Sequence, residues 1–110
     1  MDIPCDFWEV TNTNDYRCHI ANVDMTKATL IKCFVGRHHH GKTNNDVTEI
    51  FFRSSPMSCF PRDLTQFFPR LTRISVFNCG LETICKKDLR GHENLAILSI
   101  WRNNLKQNIL

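Results

Sequence analysis

Leu71-Thr72-Arg73-Ile74-Ser75-Val76-Phe77-Asn78-Cys79-Gly80-Leu81 is the stretch on which the fold reading turns. Its apolar residues fall at Leu71, Ile74, Val76 and Leu81, with Cys79 before the last. The same spacing returns at Leu95, Leu98, Ile100, Asn103 and Leu105, an offset of 24 from Leu71 to Leu95. It also holds one step back, at Val47, Ile50, Phe52, Ser55 and Met57. Two further apolar positions align, Phe60 and Ile84. Self-similarity at a fixed period is sought before any motif, because it decides the architecture. Alternation at Ile74-x-Val76 and its counterparts makes each unit centre on a short strand, with every second side chain pointing inward.

The three segments resemble the leucine-rich repeat pattern L-x-x-L-x-L-x-x-N/C-x-L. Cys79 and Asn103 occupy its turn position, where buried backbone groups need a small partner, and Ser55 is a weaker polar choice there. Between strands, 60–68 and 84–90 have room for a helical turn, ended by Pro69 and by Gly91. The expected architecture is therefore α/β: a right-handed leucine-rich repeat solenoid of short parallel strands, with a β-hairpin cap at its start.

Residues 1–46 lie outside the period. Cys5-Asp6-Phe7-Trp8-Glu9-Val10 and Tyr16-Arg17-Cys18-His19-Ile20 are two β-prone runs around a polar turn, which reads as a hairpin. Cys5 and Cys18 are placed to clamp it, and they are the preferred disulfide pair. Sequence alone does not assign connectivity; a second bridge between Cys33 and Cys59 is the next choice, Cys79 reads as a buried turn thiol and Cys85 as free. Ala28–Val35 is another strand candidate. The expected organisation is 1–46 as a cysteine-containing cap and connector, and 47–110 as about three repeats, the last incomplete.

The order Gly36-Arg37-His38-His39-His40-Gly41-Lys42-Thr43-Asn44-Asn45-Asp46-Val47, together with the Cys5…Tyr16-x-Cys18 arrangement and Phe67-Phe68-Pro69-Arg70-Leu71, is similar to secreted arthropod leucine-rich repeat proteins. That resemblance spans about residues 5–105. It implies secretion or a cell-surface location, and recognition of extracellular ligands.

Composition narrows the function classes. The chain has 110 residues, enough for one domain. Its net charge is +3 with Lys and Arg scattered, which is not the basic stripe of a nucleic-acid binder. No apolar run is long enough to span a bilayer. Met1-Asp2-Ile3-Pro4-Cys5 does not read as a signal peptide, and no Asn-X-Ser/Thr sequon occurs. Six cysteines in this length point to an oxidising compartment or a metal site. They include no C-x-x-C pair, and three consecutive histidines diverge around a single ion, so neither zinc nor another cofactor is expected. No Gly-rich phosphate loop, G-x-S-x-G or local cysteine-nucleophile signature is present, so an enzyme is not expected. A chain ending at Leu110 on this period reads as a fragment, a truncated product or an array whose open end a partner covers.

In the strands, residues that alternate with the core ones line up at the same period. The columns are Glu49, Arg73 and Ile97; Phe51, Ser75 and Ser99; Arg53, Phe77 and Trp101; and Ser54, Asn78 and Arg102. Arginine beside aromatic rings is the composition favoured at interface hot spots. Arg53, Phe77, Trp101, Arg73, Asn78 and Arg102 are therefore the candidate ligand-binding residues, for a protein or another extracellular ligand. The competing expectation is a purely structural cap fragment that binds nothing, and a remote one is a Cys/His metal protein.

Overall fold

The computed structural model describes residues 1–26 and 30–108. Asp2–Pro4 (β1) pairs in parallel with Cys33–Val35 (β4). Asp6–Glu9 (β2) and Tyr16–Ala21 (β3) form an antiparallel hairpin. Glu49–Arg53 (β5), Arg73–Phe77 (β6) and Ile97–Trp101 (β8) extend the sheet beyond β3, each parallel to its neighbour. The main sheet thus has the order β2-β3-β5-β6-β8. Thr83–Ile84 (β7) pairs with Gln107–Asn108 (β9) in a separate two-stranded ribbon. The strand candidate at 28–35 is confined to β4, and Ala28 and Thr29 lie outside the described residues.

The strands form because their sequences alternate. Ile50, Phe52, Ile74 and Val76 are fully buried, and so are Cys18 and Ile20 from β3. All point to one side of the sheet. Val47, Leu64, Phe68, Leu71, Leu81 and Ile84, each 2% exposed or less, close the same core from below. Ile3, Phe7 and Phe34 complete it at the N-terminal end. A chain of hydrogen bonds stitches the strand entries together. Thr48 Oγ1 accepts from Tyr16 N–H, the Thr48 carbonyl accepts from Thr72 N–H, and the Thr72 carbonyl from Ala96 N–H.

The α/β leucine-rich repeat solenoid expected from the sequence is not the fold. Among the described residues the α-helix is a single turn, Leu64–Phe67 (α1), and the only other helical pieces are 3₁₀ turns at Asn44–Asp46 and Lys86–Leu89. The domain is a small mixed sheet with almost no helix, and no solenoid repeat is evident. The physical cause lies in the connections. Pro56, Pro61 and Pro69 withhold backbone donors and block helix extension between β5 and β6. The backbone there bonds sideways instead: Met25 N–H to the Pro56 carbonyl, Met57 N–H to that of Cys79, and Glu82 N–H to that of Ser58. The interval after β5 contains α1, whereas the interval after β6 contains β7 and a 3₁₀ turn. The 24-residue spacing is a strand register, Ile50 against Ile74 and Ile74 against Leu98.

The residues at the strand exits do the work expected of them. Asn103 Oδ1 accepts from Cys79 N–H (3.0 Å) and Leu81 N–H (3.1 Å), while its Nδ2 donates to the Val76 and Trp101 carbonyls, both at 2.9 Å. Cys79, 24 residues earlier, lets its buried thiol donate to the Phe77 carbonyl and accept from Ser55 N–H. Burial pushes that thiol's pKa up. Ser55, fully buried, donates to the Arg53 carbonyl and accepts from Val23 N–H.

A disulfide joins Cys5 and Cys18 across the hairpin, with Cα atoms 5.5 Å apart. Cys33 and Cys59 are free thiols, so the second bridge considered above is absent. The Cys33 thiol donates to Asp2 Oδ1 at 3.1 Å. Gly36 has a steric reason: a Cβ there would run into the Cys5 carbonyl oxygen.

Candidate interaction face

The side of the sheet away from the core is built entirely by strand alternation. Register sets its rows. The first is Trp8, Arg17, Glu49, Arg73 and Ile97, the second Asp6, His19, Phe51, Ser75 and Ser99, and the third Ala21, Arg53, Phe77 and Trp101. All six candidate binding residues lie on this face or at its exit edge. Arg53, Phe77 and Trp101 stand side by side. Asn78 and Arg102 follow directly after β6 and β8, each with a left-handed backbone (φ 54°) that swings it off the strand.

Two clusters result. At the β8 end, the rings of Phe77 and Trp101 meet edge to face with centroids 5.1 Å apart, and the Arg102 guanidinium lies 5.9 Å from the Phe77 ring. Trp101 is 63% exposed, a large apolar side chain left in water. Asn78 Nδ2 donates to Ser54 Oγ at 3.3 Å, bracing the same corner. Arg53 and Arg102 have no carboxylate partner among the described residues.

The second cluster lies nearer the hairpin. Glu49 is 2% exposed and sits between two arginines: Arg17 Nε donates to its Oε1, and Arg73 Nε lies 3.6 Å from its Oε2. The Arg17 guanidinium also lies over the rings of Trp8 (5.5 Å) and Phe51 (5.6 Å). His19 packs edge-on between those two rings. The sequence reading missed Trp8, Arg17, His19 and Phe51 as one group. The β3–β5 register is offset by 32 residues, so the period of 24 does not reach the hairpin. The signal was available in the shared alternation of Arg17-Cys18-His19-Ile20 and Glu49-Ile50-Phe51-Phe52.

His19 carries a testable consequence. Partial burial, and secondarily the charges of Arg17 and Arg53, lower its pKa below 6.5, against a small opposing effect of Asp6. The folded state therefore binds this proton less readily than the unfolded chain. Its contribution to stability is present above pH about 6.5 and is lost as pH falls below that value. His92, lowered by burial, acts in the same direction. A urea-unfolding series between pH 7.5 and 5 is expected to show falling stability. The slope should flatten in His19→Gln, and an unchanged slope in a His19→Gln/His92→Gln double variant would refute the assignment.

Within the histidine run His39 and His40 are exposed, and only His38 is drawn in. His38 is half-buried, stacked 3.8 Å from Phe7, with Nδ1 2.9 Å from the Tyr16 hydroxyl and Nε2 2.8 Å from Asn44 Oδ1. The described residues bring together no group of three His, Cys, Asp or Glu side chains that could hold a metal ion. No helix among them is long and apolar enough to cross a membrane. A cavity of about 350 Å³ opens on another side of the molecule, walled by Met25, Met57, Phe60 and Phe67 with Cys59 at its lining.

Fold and site together define a small, disulfide-clamped mixed-sheet domain with an arginine-and-aromatic face. No family model, curated protein or solved structure matches the chain significantly.

Proposed function

We propose that this domain is a binding module, not an enzyme, and that it recognises a protein through the open face of its main sheet. One observation carries the reading: Trp101 stands 63% exposed against Phe77, with Arg53 next to Phe77 in the same row and the Arg102 guanidinium over the Phe77 ring. A tryptophan left in water on a rigid strand is a preformed anchor, since little side-chain entropy remains to be lost when a partner covers it. The two arginines without carboxylate partners favour an acidic surface on that partner. Arg17 and Arg73, both engaged by Glu49, act as a fixed floor. The Cys5–Cys18 bond fits an oxidising compartment, which supports action outside the cell.

The test compares proteins retained from extracellular fluid by the immobilised wild-type domain and by Trp101→Ala, Phe77→Ala and Arg53→Ala. A control variant, Arg70→Ala, changes an exposed residue outside the strands. The expected result is a protein held by wild type and control and lost at least tenfold in Trp101→Ala, with circular dichroism unchanged; about 2 kcal/mol of anchor energy corresponds to such a loss. Equal retention by all variants would remove the proposal. If Trp101→Ala and Phe77→Ala only lower the melting temperature, the ring pair serves the fold alone.

A further inference from the structure

We propose that β8 is the contact through which two copies of this chain associate, edge to edge and antiparallel, about a twofold axis at Ser99. This inference draws on Trp101, as the face reading above does, but its test at Ser99 fails or succeeds separately from the test of that reading. β8 is one terminal strand of the main sheet. Its sequence, Ile97-Leu98-Ser99-Ile100-Trp101, has no charge and no proline, the usual devices that keep an exposed edge from pairing. Along it Ile97, Ser99 and Trp101 are exposed, and Leu98 and Ile100, whose equivalents in β5 and β6 are fully buried, are only partly covered.

The backbone fixes which groups are free. Ile97 N–H donates to the Thr72 carbonyl, and the Trp101 carbonyl accepts from Asn78 N–H, so residues 97, 99 and 101 turn their polar groups toward the β6 side. Strand alternation then aims the N–H and C=O of Leu98 and Ile100 outward. Antiparallel pairing centred on Ser99 sets Leu98 against Ile100 of the second copy as a hydrogen-bonded pair, and the symmetry repeats it. Ser99 meets its own copy at a non-hydrogen-bonded position. Ile97 meets Trp101 twice on the open face, and Leu98 meets Ile100 twice over the core. Centring the axis on Leu98 or Ile100 instead would set Ser99 against Ile97 or against Trp101. The strand is thus self-complementary in the one register that matches every apolar side chain, as a twofold interface requires.

The area is adequate for association. Trp101 alone, at 63% exposure, offers on the order of 150 Å² per copy. With Ile97 and Leu105, 42% and 41% exposed, and the uncovered parts of Leu98 and Ile100, two copies offer at most about 800 Å², the size of a weak, concentration-dependent contact. The product is a single sheet continuous through both copies, with two Trp101–Phe77–Arg102 clusters on one face.

The full chain is examined by sedimentation equilibrium over a concentration series. The expected result is a monomer–dimer equilibrium in wild type, and a dissociation constant raised at least about tenfold in Ser99→Lys, which sets two ammonium groups directly opposite each other. Circular dichroism should be unchanged, since Ser99 is exposed. A second variant, Ser99→Cys, is oxidised by oxygen with a copper catalyst. Cα atoms about 4.5 Å apart in a non-hydrogen-bonded pair lie within reach of a disulfide. Peptide mapping should show position 99 of one copy linked to position 99 of the other, two thiols giving one bond. Wild type that stays monomeric, a dimer that survives Ser99→Lys, open-ended assembly, or no link between the two positions 99 would each overturn the proposal.

Discussion

Arg17→Ala is expected to destabilise the domain by about 3–5 kcal/mol, more than Glu49→Ala does. The asymmetry follows from burial. Glu49 is 2% exposed, and Arg17 supplies its direct hydrogen bond. Removing the guanidinium leaves a carboxylate out of water with only Arg73, 3.6 Å away and itself 42% exposed, as compensation. Arg17 also covers the rings of Trp8 and Phe51, so its stem and its charge are lost together. Deleting Glu49 instead leaves two arginines that are partly exposed and can turn toward solvent. That change is expected to cost about half as much, on the order of 2 kcal/mol. Denaturant titration of both variants with an unchanged m-value decides the matter, and an Arg17→Ala cost no greater than that of Glu49→Ala would show that the carboxylate is not held by this pair.

Loss of the Cys5–Cys18 bond is the second large effect. The bond closes a separation of 13 residues, and the chain entropy it removes from the unfolded state is worth about 3 kcal/mol. For a domain of this size that shift corresponds to a melting temperature lower by roughly 12–20 °C. Both cysteines are buried, Cys18 completely. The clean variant is therefore Cys5→Ala with Cys18→Ala, since serine hydroxyls would add the cost of burying polar groups. Among the described residues the other four cysteines are free, so a reductant acts on this bond alone. Calorimetry with and without reductant should reproduce the variant's shift in the wild type. Equal melting temperatures under the two conditions would mean that the hairpin is held by its packing.

Much of the sheet was readable because it rests on alternation and spacing. The strands near 49–53, 73–77 and 97–101, their mutual register, the hairpin and its clamp all follow from residues whose side chains must segregate to one face. The architecture did not follow. The segments at 54–72 and 78–96 have the apolar residues of a helical return, but three prolines fall around the first, and the second is drawn into β7 and its 3₁₀ turn. A pattern of apolar positions records which side chains are inside, not what backbone carries them. The Arg53–Phe77–Trp101 corner was visible for the same reason as the register. The Glu49 cluster was not, because β3 joins the sheet at a different offset. The role of His38 was hidden as well, since nothing in a run of three histidines indicates that one of them stacks on Phe7.

The sheet's connectivity also sets an order of assembly. The β2–β3 hairpin needs only a short loop closed, an event of microseconds. β5 must then find β3 across a separation of 32 residues, and β6 and β8 each dock across 24. Each addition closes a loop longer than the hairpin's before any contact rewards it, so folding is governed by non-local pairing and belongs on the millisecond-to-second scale. The clamped hairpin is the natural template on which the later strands are laid. β8, the sheet's last strand in chain order, presents an unpaired outer edge to that search.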